Sequence, residues 1–238
     1  MSLKRRNDMK TMMKVCGIAL TILASSNTFA GQYEIDQIEH AASKLDLTEL
    51  KTIAEQVQGY DQALAYYRLA LSSNLSGESD PAIKWNDKAI SLLEALDEAQ
   101  PNDAEVKTLL AQVYGYKIAL QPMKGMFYGS KSNAMLADAK ALSPSNPRAY
   151  LVQGISKLNT PAIFGGSVTE ATEAFNNAIT AYESDVNSNY HWGYAETYTW
   201  RGLVKMQSGD LAQAKQDWQL ALNINPDYGW AKTLLSQH

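Results

Sequence analysis

The stretch Gly125-x-x-x-Gly129-Ser130-Lys131-Ser132 holds the residue types of a phosphate-binding loop, where glycine N–H groups cradle phosphates and a lysine reaches their oxygens. That chemistry needs G-x-x-x-x-G-K-[ST], and Ser130 stands where the second glycine must be. The loop should also follow a buried strand, whereas residues 113–120 read as helix. A nucleotide site is not expected. His191 sits beside Trp192 with no carboxylate or nucleophile placed near it in sequence. Glu170 and Glu173 lie three apart, on one exposed helix face. Solvation accounts for them, because acid–base catalysis would need a cleft to shift their pKa values. The chain contains no H-E-x-x-H or G-x-S-x-G. A single Cys and His at 40, 191 and 238 argue against a Cys-based or multi-His metal centre. The expectation is a non-catalytic protein with no cofactor.

One side chain keeps a strong recognition chemistry. Arg148 presents a fork of donors suited to a carboxylate, or to the last carbonyls of a helix. Lys plus Arg is 21 and Asp plus Glu is 25, the opposite of the balance a polyanion-binding protein needs, so nucleic acid is not an expected partner.

The first thirty residues read as an address. Lys4, Arg5, Arg6, Lys10 and Lys14 precede an uncharged run from 15 to 24, and Thr28-Phe29-Ala30 follows. This is the pattern of a secretory signal peptide with cleavage after Ala30. A membrane span needs about 20 apolar residues, and only half of that is present. Met9 is an alternative start, giving a shorter signal. Cys16 opens the apolar run instead of following it, so lipidation is not expected and the Cys leaves with the signal. Removing residues 1–30 leaves 16 bases against 24 acids. The expected product is an acidic, soluble, periplasmic protein of residues 31–238.

The elements that must position any site are helices. Ala, Leu, Gln, Glu and Lys dominate, and no stretch alternates in the manner of a strand. Near the C-terminus, Gly202 is followed by Ala214, Trp218, Ala221 and Pro226, with Ser208-Gly209-Asp210 at the turn. This resembles the tetratricopeptide repeat, a helix–turn–helix unit. Small residues let antiparallel helices approach, and Pro226 ends the second helix. Stretched copies follow upstream: Gly154 with Ala171, Phe175 and Ala178; Leu110, Ala111 and Tyr114 with Ser132, Leu136, Ala139 and Pro144; Leu69 and Ala70 with Ala89, Leu93, Leu96 and Pro101. The reading is all-α: a tetratricopeptide-like right-handed solenoid of four hairpins at 60–100, 103–145, 147–184 and 195–228. A helical segment at 33–58 and a cap at 228–235 flank them.

Three departures from a minimal repeat stand out: the insertions at 121–129 and 159–166, and the segment 190–194. Their apolar rings must tuck onto the solenoid or meet a partner, since exposed apolar patches are rarely left bare. Asn146-Pro147-Arg148-Ala149-Tyr150, Pro161…Phe164-Gly165-Gly166 and Trp192-Gly193 together are similar to an uncharacterised family of exported bacterial tetratricopeptide-like proteins. The similarity covers roughly 130–230; it implies fold and export and supplies no activity. Counting along the first helix of each hairpin turns Tyr67, Gln112, Tyr116 and Arg148 toward the concave groove. Phe164 and Trp192 are expected to border a shared concavity with Arg148. The expected function is a periplasmic scaffold binding a protein or extended peptide through that groove. The alternative is a small-molecule-binding accessory component of a transporter.

Overall fold

A computed structural model describes residues 31–185 and 190–238. The expected signal segment and Cys16 lie outside them. Among the described residues the secondary structure is helical throughout. Two helices, α1 (Gln32–Ser43) and α2 (Leu47–Gln56), lead into four antiparallel hairpins. These are α3 (Gly59–Leu75) with α4 (Ser79–Ala99), α5 (Ala104–Leu120) with α6 (Gly125–Leu142), α7 (Pro147–Asn159) with α8 (Val168–Tyr182), and α9 (Tyr194–Gln207) with α10 (Leu211–Ile224). A final helix, α11 (Gly229–Gln237), packs on α10. The architecture is the right-handed tetratricopeptide-like solenoid expected from the repeats.

Local chemistry starts these helices where the sequence places side-chain acceptors. Asp46, Asp103, Asn146, Ser167 and Asp210 each accept from the first-turn N–H groups of the helix that follows. Pro147 occupies the first turn of α7, where a missing N–H costs nothing. Within hairpins, the glycine–aromatic spacing becomes direct contact. Trp218 on α10 lies against Gly202 of α9, fully buried, and donates its Nε1–H to the Thr199 carbonyl at 3.3 Å. Phe175 on α8 covers Gly154 of α7 in the same way. A Cβ at either glycine would collide with the ring.

The insertion at 121–129 differs from a loop. After a 3₁₀ turn at Pro122–Lys124, helix α6 starts at Gly125 and runs through Gly129. The phosphate-loop look-alike therefore forms the first turns of a helix and not a loop. Helical packing overrides the low propensity of two glycines, roughly 1 kcal/mol each. Ser132 Oγ donates to the Ala111 carbonyl at 2.8 Å, tying α6 to α5.

The solenoid also closes on itself. One apolar cluster runs from Ile35 in α1 through α3, α5, α7 and α8 to Val204 in α9. Arg68 of α3 pairs with Glu196 of α9, 128 positions away, at 3.0 Å. At the other end of the chain, Gly229 of α11 lies against the Ser43 carbonyl, where α1 ends.

Candidate functional site

The inner face holds two buried ion clusters. Arg148 has no exposed surface. Its Nε and Nη2 grip both carboxylate oxygens of Glu105 at 2.8 Å, and Nη1 reaches Asp185 at 2.7 Å. Asn146 caps α7 with its oxygen and donates Nδ2–H to Glu105 at 2.8 Å. The Asn-Pro-Arg segment is thus a joint between the starts of α5 and α7. Burial pushes the Glu105 carboxyl up, and the Arg148 guanidinium opposes it. In the second cluster Arg68 forks onto Glu39 at 2.7 and 3.0 Å while also holding Glu196. Burial raises the Glu39 carboxyl against the pull of Arg68.

Tyrosines fill the space between the clusters. Gln112 donates to the Tyr67 hydroxyl at 2.6 Å, and the Tyr67 ring meets Tyr116 edge-on at 5.8 Å between centroids. Trp192 is buried, donates Nε1–H to the Tyr60 hydroxyl at 2.8 Å, and accepts from the Tyr182 hydroxyl at its carbonyl. Burial holds the Tyr60, Tyr67 and Tyr182 hydroxyls above their ordinary range and pushes Tyr116 and Tyr190 up to about 12. Every one of these phenols stays protonated at neutral pH. Tyr60 and Tyr67 accept and Tyr182 donates in a packed network of neutral phenols.

The six side chains expected to meet a partner therefore divide. Tyr67, Gln112, Arg148 and Trp192 are buried, and Tyr116 is half-buried beside them. The groove they are expected to line is filled by the chain itself, through α1, the 190–193 segment and the carboxylates of Glu105 and Asp185. Phe164 lies apart. It sits in a 3₁₀ turn at the end of the α7–α8 hairpin and is 74% exposed, whereas Arg148 and Trp192 are buried. A shallow concavity of about 480 Å³ beside Tyr190 touches none of the six.

The motif glycines have backbone reasons. Gly165 and Gly193 both take φ +92, the left-handed region that a side chain resists. A Cβ on Gly166 would enter the Thr160 carbonyl, and one on Gly193 would strike Leu151 and the Tyr182 hydroxyl. No such reason covers the apolar residues at the hairpin ends. Ile163 is 85% exposed beside Phe164; Met123 and Met126 are 94% and 98% exposed at the end of the α5–α6 hairpin, with Phe127 more than half bare. The two hairpins are neighbours: a cleft between α6 and α7 is lined by Asn133, Ala137 and Lys157.

A charge pattern in the sequence accompanies this edge, though the repeat spacing does not reveal it. Between Glu105 and Glu170 the only acid is Asp138, against Lys107, Lys117, Lys124, Lys131, Lys140, Arg148 and Lys157. Several of these bases pair with acids of neighbouring helices: Lys107 with Asp97, Lys131 with Glu94 and Lys157 with Glu170. At the α7–α8 hairpin end Lys157 donates to the Gly165 carbonyl and pairs with Glu170, while Lys124 lies beside the exposed Met123 and Met126 at the α5–α6 end. Among the described residues no group of His, Cys, Asp and Glu could hold a metal ion, and no helix is long and apolar enough to cross a membrane.

Comparison with known proteins supports the fold. A tetratricopeptide repeat family model matches residues 195–228, the α9–α10 hairpin. No curated protein matches the chain. The HusA haemophore from Porphyromonas gingivalis is similar at 25% identity and a TM-score of 0.54, over 74% of this chain and 94% of that one. A thermophilic tetratricopeptide protein of Thermus thermophilus is similar at 17% identity and a TM-score of 0.52, over 87% of this chain and 95% of its own.

Proposed function

We propose that this chain is an exported, non-catalytic binding protein of the periplasm, and that its contact surface is the edge formed by the ends of the α5–α6 and α7–α8 hairpins. The observation that carries this is the exposure of Met123, Met126, Ile163 and Phe164 on adjacent hairpins. Large apolar side chains in such a group mark an interaction site. The partner that fits is a protein segment with apolar anchors and acidic neighbours, because the stretch between Glu105 and Glu170 carries seven bases against the single acid Asp138. Tetratricopeptide folds serve as protein-interaction scaffolds, which supports a protein partner. The inner-face residues Arg148, Tyr67, Gln112 and Trp192 take part by holding the hairpins in register.

A second reading has its own support in the likeness to a haemophore. Haem is a flat apolar ring with two carboxylates, the same chemistry in a smaller molecule, and Met126 is a soft side chain able to meet its iron. Titrating haemin into the protein while following visible absorbance separates the two. A saturable spectral change lost in a Met126→Ala, Phe164→Ser double variant supports haem. No change, together with capture of an envelope protein by the wild type and not by the variant, supports the protein partner. Equal behaviour of variant and wild type in both assays refutes the edge.

A further inference from the structure

Gly31 follows Ala30, the expected end of the signal segment. Its backbone nitrogen donates to Asp61 Oδ2 at 3.3 Å. Asp61 lies in the first turn of α3, only 6% exposed, and its other oxygen, Oδ1, is buried with no hydrogen-bond partner. From the first turn of α1, Glu34 folds its carboxylate back onto Gly31, into the place a Cβ would take. One carboxylate thus bonds the Gly31 nitrogen and a second lies beside the same residue. A peptide N–H brings a single proton and no net charge to them, and a buried unpaired acceptor is costly. A primary ammonium brings three protons and a full charge.

We propose that Asp61 and Glu34 form a receptor for the α-ammonium group of Gly31, which is released when the Ala30–Gly31 bond is hydrolysed. Hydrolysis consumes one water, leaves a carboxylate on Ala30 and leaves a protonated amine on Gly31. The cleavage rests on the export reading; the fit of an ammonium to the two carboxylates does not. Any side chain at position 31 would displace Glu34, so glycine suits the first residue of the processed chain. An ammonium at a helix N-terminus is opposed by the helix dipole, and Glu34 in that first turn offsets the opposition. The location gives the pair a consequence. Next to it, Gln32 and His191 exchange two bonds, Nε2–H to the His191 carbonyl at 3.0 Å and His191 N–H to Oε1 at 2.7 Å. Tyr60, the neighbour of Asp61, holds Trp192. The ammonium therefore locks the seam where the solenoid closes.

Burial pushes Asp61 up to about 6, with the charge of Glu34 adding to it and the Gly31 N–H opposing it. With only an amide as partner, the unfolded chain ionises near pH 4 and the folded chain near pH 6. Stability then falls as pH rises between those values and stays lower above them. With the ammonium, that fall is reduced. The amine's own pKa rises above its ordinary ~8, so its contribution is full below ~8 and disappears as pH climbs through the raised value.

The chain tested is the processed product itself, residues 31–238. Thermal melts compare this chain with a free amine and with an acetylated one, each with Asp61 and with Asp61→Asn. The expected result is a midpoint about 2–4 °C higher for the free amine at pH 6.5. The gap closes at pH 10 and in Asp61→Asn. Equal midpoints at pH 6.5, or an undiminished gap in Asp61→Asn, overturn the receptor. Competitive acylation of the Gly31 amine gives a reading that does not need Asp61→Asn to fold: a pKa above ~8 supports the pair and an ordinary value overturns it. N-terminal sequencing of the envelope protein tests the cleavage separately, and a start other than Gly31 overturns the processing step whatever the melts show.

Discussion

A guanidinium with no solvent exposure needs its donors met from within, and Arg148 meets them with Glu105 and Asp185. Removing one partner of such a group leaves a buried charge without compensation, at about 3–5 kcal/mol. Arg148→Ala should lower stability by that order in urea melts; a loss below ~0.5 kcal/mol would place the side chain on the surface after all. Trp218→Ala should also cost ~3–5 kcal/mol, as large core truncations do. Gly154→Ala should cost ~1–3 kcal/mol by overpacking against Phe175, and a neutral result would mean that the ring moves aside freely. These sites differ in how far the sequence reveals them. The Gly202–Trp218 contact spans 16 positions inside one hairpin, so spacing alone finds it. The Arg148–Glu105 pair spans 43 and joins two hairpins. Its residue type was legible as an anion-binding fork, but the anion comes from the chain itself, and only the stacking register reveals that.

At the scale of helices, the turns were legible because they depend on neighbouring residues. Hairpin boundaries follow from Pro and Gly punctuation, while the Asp and Asn caps became visible only in the structure. The 121–129 segment was not legible, since two glycines and a proline in nine residues read as a loop while packing of α6 on α5 extends the helix. Exposure of its apolar side chains is equally silent in the sequence, where Trp192 and Phe164 look alike. One plugs the seam and the other stands in solvent. The hairpin ends should accordingly separate binding from folding. Phe127→Ser with Phe164→Ser should shift the urea midpoint by no more than surface changes do, under ~0.5 kcal/mol each, while weakening partner or haem binding. A large loss of stability would show that both rings pack, and unchanged binding would detach the edge from function.

For the whole molecule, closure matters more than repeat count. An open solenoid holds each hairpin only to its neighbours, so its unfolding can proceed from an end. Here Arg68–Glu196, Trp192–Tyr60 and Gln32–His191 tie the first helices to the last hairpin. Urea unfolding followed by tryptophan fluorescence and by helical circular dichroism should therefore give one coincident transition. In Arg68→Ala the two probes should drift apart as the ends are released; coincident curves there would assign cooperativity to the stacking alone. Repeat proteins commonly change length over evolutionary time by duplicating a unit, because an extra hairpin in an open stack disturbs little. An extra hairpin in this chain would carry Glu196 away from Arg68 and lift Gly229 off the end of α1. The number of repeats is thereby set by geometry, and descendants of this chain can vary the ends of their hairpins far more freely than the number of hairpins they stack.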